Sequence, residues 1–168
     1  PIIAQHFGAK EFDLIKIKTR KFLWVSLLIG AVFSFLLFNA GIIINLLGTE
    51  ENISRVSLGY LKAVAFGAIP ITLYQALRNY SEGITQTKIV FIIGALGFLL
   101  NIPLNYIFIF HFGLGGIGCG IATSIISFLG LGTLWLATFI LKQYKQTYIY
   151  GQFILPDTKS AFELVKIG

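Results

Sequence analysis

Four long apolar runs joined by short connections constrain this chain more than any other feature. A helix needs about 20 mostly apolar residues to cross hydrocarbon, and runs at about 22–47, 56–76, 89–110 and 115–141 reach that length. Inside lipid every backbone polar group must be paired within its own segment or in a closed barrel. Runs this long, without strict alternation of polar and apolar residues, predict helices. The expected fold is therefore all-α, a polytopic membrane bundle with four transmembrane helices. The composition agrees: 12% of the 168 residues are charged, against about 25% in soluble domains. Mean hydropathy is +0.83.

The net charge of +6 taken alone would admit a nucleic-acid partner. The basic residues instead lie in short segments beside the apolar runs, which is the pattern of cytoplasmic membrane loops. Residues 1–21 carry Lys10, Lys16, Lys18, Arg20 and Lys21. The connection at 48–55 has one arginine and two glutamates, the next holds Arg78 and Lys88, and His111–Leu114 has neither lysine nor arginine. The tail at 142–168 carries Lys142, Lys145, Lys159 and Lys166. This alternation predicts a cytoplasmic loop at 1–21, a cytoplasmic linker at 142–168, and the lipid bilayer rather than nucleic acid as partner. Both ends read as cut, so further helices of a longer protein are expected. The lone Cys119 rules out an internal disulfide. Paired carboxylates, a Ser-His-Asp set and a Walker motif are all missing, so no enzyme is expected.

The third run contains Asn101 and Asn105, one helical turn apart, with Pro103 between them. A carboxamide in hydrocarbon is costly unless something satisfies it. An interhelical hydrogen bond there is worth only about 0.6 kcal/mol on average, so packing gives little reason for two. Gly94, Gly97, Asn101 and Asn105 form one stripe along this helix. Gly116, Gly120, Thr123, Ser124, Ser127 and Gly130 form another on the next. Gly94, Gly97, Gly116 and Gly120 are expected to pack helices together, since small residues let neighbours approach closely. The short link makes the two helices antiparallel, bringing Asn101, Asn105 and Thr123 together in the outer half of the membrane. Pro103 also deprives the Leu99 carbonyl of its usual donor. Carboxamide, hydroxyl and carbonyl oxygens suit a small hard cation or a hydrogen-bonded proton carrier. A purely structural polar cluster is the other reading. The spans contain no Asp or Glu, so a charge-balancing carboxylate would have to come from elsewhere.

Four segments resemble one family. Pro1-Ile-Ile-Ala-Gln-His-Phe-Gly-Ala9 is similar to the loop after the second helix of multidrug and toxic compound extrusion (MATE) transporters. Gln75-Ala-Leu-Arg-Asn-Tyr-Ser-Glu-Gly-Ile-Thr-Gln-Thr-Lys88 resembles their fourth helix and its exit. Asn101-Ile-Pro-Leu-Asn105, followed by Gly115-Gly-Ile-Gly-Cys-Gly-Ile-Ala-Thr123, resembles the fifth and sixth helices of the bacterial NorM-like branch. The resemblance implies helices three to six of a twelve-helix, two-lobe antiporter in the bacterial inner membrane, with 142–168 linking the lobes. It implies export of cationic or amphipathic drugs or metabolites in exchange for sodium or protons, with no cofactor. It also implies a cation-linked site of Asn101, Asn105, Thr123 and the Cys119 backbone carbonyl, completed by an aspartate on the first helix. Some members carry aspartate where Asn105 stands. A related flippase for lipid-linked sugars and a non-transporting membrane scaffold subunit are the alternatives.

Overall fold

The computed structural model describes residues 2–150 except 47 and 49. The linker expected at 142–168 therefore lies outside the described residues from 151 onward. The elements are α1 (Ile2–Gly8), α2 (Phe12–Phe38), α3 (Gly41–Leu46), α4 (Glu51–Gly83), α5 (Thr87–Tyr106) and α6 (Gly116–Ile140). A π-helical turn, Ile107–His111, extends α5, and a 3₁₀ turn, Lys142–Tyr144, follows α6. The fold is all-α, with no strand among the described residues. Four helical stretches are long and apolar enough to cross a membrane: Phe12–Ile44, Glu51–Gly83, Thr87–His111 and Gly116–Ile140.

The helices outrun the apolar runs that announce them. α2 starts at Phe12, within the basic segment, because lysine and arginine are good helix formers; Lys16 pairs with Asp13 at 2.8 Å. α4 continues past its apolar part to Gly83, so Arg78 and Glu82 share a helix face and pair at 2.8 Å. A brief break at Asn39 and Ala40 separates α2 from α3, where the Asn39 carboxamide donates to the Phe35 carbonyl at 2.8 Å.

α4 is the central helix, held between α2 and α6 by small residues. A Cβ on Gly30 of α2 would stand 2.8 Å from the Ile69 Cα. On the other side, Gly67 faces Ser124, and a Cβ on Gly120 would stand 2.9 Å from the Tyr60 carbonyl oxygen. The Ser124 hydroxyl donates across this contact to the Ala63 carbonyl at 2.6 Å. Close approach of this kind replaces the hydrophobic force that lipid abolishes between helices. Outward-facing apolar side chains such as Phe91, Phe98 and Phe110 are about seven-tenths exposed on the four-helix unit. Such surface belongs against lipid or further helices, not water.

The buried apolar core gathers at the basic end, around Ile15, Leu77, Tyr80, Ile84, Leu134 and Tyr144. The stretch after α6 folds back over this end. The Tyr80 hydroxyl bonds the Thr147 carbonyl at 2.9 Å and the Thr147 hydroxyl at 2.8 Å. Arg20 donates to the Ile149 carbonyl. Tyr80 is thus buried, covered by residues distant in sequence.

At the opposite end, the α5–α6 link turns through Gly113 and Gly115, with φ of +66° and +52°. These are left-handed values that glycine takes without strain. Gly118 lies so close to the π-helical turn that an added Cβ would stand 2.6 Å from the Phe108 carbonyl carbon and oxygen. Gly118→Ala should therefore lower stability by about 1–3 kcal/mol. Gly132, with nothing within 4 Å of an added Cβ, should tolerate alanine. Thermal unfolding of the two variants in detergent checks this contrast.

Candidate cation-linked site

The register of α5 against α6 follows from their contacts. A Cβ on Gly97 would face Ile126, and one on Gly118 faces Phe108. The helices are antiparallel, so Asn101 lies level with about Thr123, and Asn105 with about Cys119. Along α5 from Thr87, Asn101 stands roughly 21 Å and Asn105 roughly 27 Å from the basic end at 1.5 Å rise per residue.

The Asn105 amide nitrogen donates to the Asn101 main-chain carbonyl at 2.9 Å and to the Asn101 Oδ1 at 2.7 Å. A carbonyl can only accept, so the Asn105 NH₂ must point toward Asn101 and its Oδ1 must point away. That Oδ1 is buried and has no hydrogen-bond partner. On α6 the Thr123 hydroxyl donates to the Cys119 carbonyl at 2.9 Å, and the Ser127 hydroxyl to the Thr123 carbonyl at 2.7 Å. Each hydroxyl spends its proton on its own helix. Its oxygen then remains an acceptor toward neighbours.

The local chemistry is an array of neutral hard oxygens at one level of the bundle. No group of three His, Cys, Asp or Glu residues that could hold a metal occurs among the described residues. His111 is exposed at the end of the π-helical turn. Neutral oxygens of this kind can solvate an alkali cation or accept from a protonated carrier.

A cavity of about 300 Å³ adjoins Asn101 between α4, α5 and α6. Tyr74, Gln75, Gly94, Gly97, Ser127 and Gly130 line it. Ser127 was legible as the turn after Thr123. Gln75 was not legible as a lining group, since its neighbours in sequence are those of a helix end; the extension of α4 to Gly83 carries it about two turns inside. The four expected packing glycines differ in their surroundings. An added Cβ at Gly116 would stand 3.1 Å from Val56, and one at Gly120 meets backbone. At Gly94 and Gly97 the nearest atoms would be 3.9 and 3.7 Å away. A larger cleft of about 570 Å³ lies between α2, α4 and α6, walled by Trp24, Leu73, Phe128 and Trp135. Its wall is mostly apolar, with Arg20 at one edge, and neither asparagine lines it.

The MatE family profile matches residues 1–107. The chain belongs to the MatE family. MatE relatives align along its whole length. The multidrug resistance protein NorM of Vibrio cholerae is 34% identical over 172 residues, covering 100% of this chain and 38% of that protein. NorM of Photobacterium profundum is 32% identical with the same coverage, as is the multidrug resistance protein MdtK of Klebsiella pneumoniae. The chain thus spans less than two-fifths of the length of these curated relatives.

The bonds within the asparagine pair carry a prediction. Asn101→Leu and Asn105→Leu should be non-additive, with a coupling of about 0.5–2 kcal/mol in a double-mutant cycle, read from unfolding of the full-length protein in detergent.

Proposed function

We propose that this MatE chain forms part of a secondary active efflux antiporter. It exports cationic or amphipathic small molecules in exchange for sodium or protons across the bacterial inner membrane. Asn101, Asn105, Thr123 and the Cys119 carbonyl form part of its cation-linked site, and Gly94, Gly97, Gly116 and Gly120 line the helix interfaces around it. The names of the relatives support the multidrug efflux reading. The basic segments at the start of α2 and after α6 support a cytoplasmic placement of those ends.

One observation carries the site. The Asn105 Oδ1 is buried without a partner, in a residue whose NH₂ is committed elsewhere. An unsatisfied buried acceptor costs about 1–3 kcal/mol. A cation or a protonated group reaching it would recover that cost. The four helices contain no membrane-embedded carboxylate near the pair, so the balancing negative charge comes from the remainder of the transporter.

Replacing Asn105 by leucine separates the readings. If the residue is only structural, its replacement costs at most the two bonds to Asn101 and leaves efflux intact at unchanged expression. The antiporter reading expects Asn105→Leu in the full-length protein to lose ion-driven drug efflux at least about tenfold, the equivalent of about 1.4 kcal/mol, at unchanged membrane expression. Full efflux from a well-expressed variant would remove Asn105 from the site.

A further inference from the structure

The cavity beside Asn101 has a second role. We propose that it is a hydrated antechamber through which the coupling cation passes between the asparagine pair and the basic, cytoplasmic end of the bundle. Gln75, Ser127 and Asn101 are the oxygen-bearing groups that accompany it. This inference rests on the coupling role proposed for the pair.

Four features of the cavity point this way. Its position is the first. It begins at Ile93, roughly 9 Å along α5 from Thr87, and reaches Asn101 at roughly 21 Å. It therefore extends from the asparagine pair toward the basic end, not toward the opposite surface.

Its origin is the second. Gly94, Gly97 and Gly130 all line it, and an added Cβ at each would find its nearest neighbour at 3.9, 3.7 and 3.6 Å. Four glycines elsewhere in the bundle are filled against: Gly30, Gly67, Gly118 and Gly120 each have backbone within about 3 Å of an added Cβ. The same residue type that closes the α2–α4 and α4–α6 contacts leaves space between α4, α5 and α6.

The third feature is chemical. Two carboxamides, from Gln75 and Asn101, and the Ser127 hydroxyl border a space whose wall is otherwise mostly apolar. The Ser127 hydroxyl and the Asn101 Oδ1 are already hydrogen-bonded within the bundle. An acyl chain seated in the space would leave the Gln75 carboxamide and the Asn101 NH₂ without partners, at about 1–3 kcal/mol for each unpaired group. Water satisfies them. A volume of about 300 Å³ holds on the order of ten waters at roughly 30 Å³ each.

The fourth is charge. No ionised side chain lines the cavity. Neutral oxygens can replace part of a cation's hydration shell without trapping it, and the Ser127 oxygen is an acceptor because its proton goes to the Thr123 carbonyl. The buried, unpartnered Asn105 Oδ1 stands one turn beyond, as the acceptor at the end of the route.

Cysteine accessibility tests this in the full-length protein with its native cysteines replaced. The cysteine thiolate, which forms in water and not in lipid, attacks methanethiosulfonate reagents to form a mixed disulfide, with methanesulfinate leaving. Gly94→Cys and Gln75→Cys should react with the membrane-impermeant trimethylammonium reagent from the cytoplasmic side, in inside-out vesicles, at least about tenfold faster than Phe91→Cys, whose native side chain is 74% exposed on the outer, apolar face. Modification of Gly94→Cys should also reduce efflux at least about fivefold, while the same treatment of Phe91→Cys does not. Reaction as slow as at Phe91→Cys, meaning that a helix or acyl chain fills the space, overturns the proposal. So does reaction only from the outer side.

Labelling reads water access without any transport, so it fails independently of the coupling reading. No labelling in a protein whose Asn105→Leu variant is inactive overturns the antechamber alone. Labelling in a protein whose Asn105→Leu variant is fully active overturns the ion route together with the coupling site.

Discussion

Everything in this bundle depends on how closely α4 can approach its two neighbours. In lipid, apolar side chains gain nothing by leaving one hydrocarbon surface for another, so association rests on packing and on a few interhelical hydrogen bonds. α4 achieves this on both sides with residues lacking bulk: Gly30 of α2 against Ile69, Gly67 against Ser124, and Gly120 against Tyr60 and Ala63. The Ser124–Ala63 hydrogen bond then fixes the register of α4 against α6. The basic ends of these helices are tied further by the segment after α6, through Tyr80 and Thr147 and through Arg20 and Ile149.

The register fixed in this way places the polar groups of α5 and α6 at one level. α5 is joined to α6 through a π-helical turn and two left-handed glycines, and Gly118 abuts that turn. Because that contact is so tight, Asn101 and Thr123 stand at the same depth. Farther along, small residues of α5 and α6 face a cavity against α4. The antiport reading uses both consequences. A tight contact aligns the oxygens near Asn105, and a loose one gives water a way to reach them.

Much of this was legible in the sequence, and the limits have physical causes. The four spans and the asparagine pair are visible because hydropathy and helical spacing are local. The true start of α2 at Phe12 and the end of α4 at Gly83 are not, since solvated lysines and polar residues continue a helix without any apolar signal. Gly94 and Gly97 share their spacing style with Gly116 and Gly120, yet their surroundings differ; spacing identifies small residues on a face but not what stands opposite. The unpartnered Asn105 oxygen is equally hidden, because it depends on which way one carboxamide turns. The burial of Tyr80 is hidden too, because Thr147, which covers it, lies far along the chain.

The central claim is that the Asn105 oxygen contributes to binding the coupling cation. Binding to the native state raises stability by RT ln(1 + [L]/Kd). The direct measurement is therefore the melting temperature of the full-length protein and of Asn105→Leu, each titrated with sodium against choline at constant ionic strength and then with protons. The account predicts a rise with one of the two ions in the native sequence and loss of that rise in the variant. An equal rise in both proteins would contradict it.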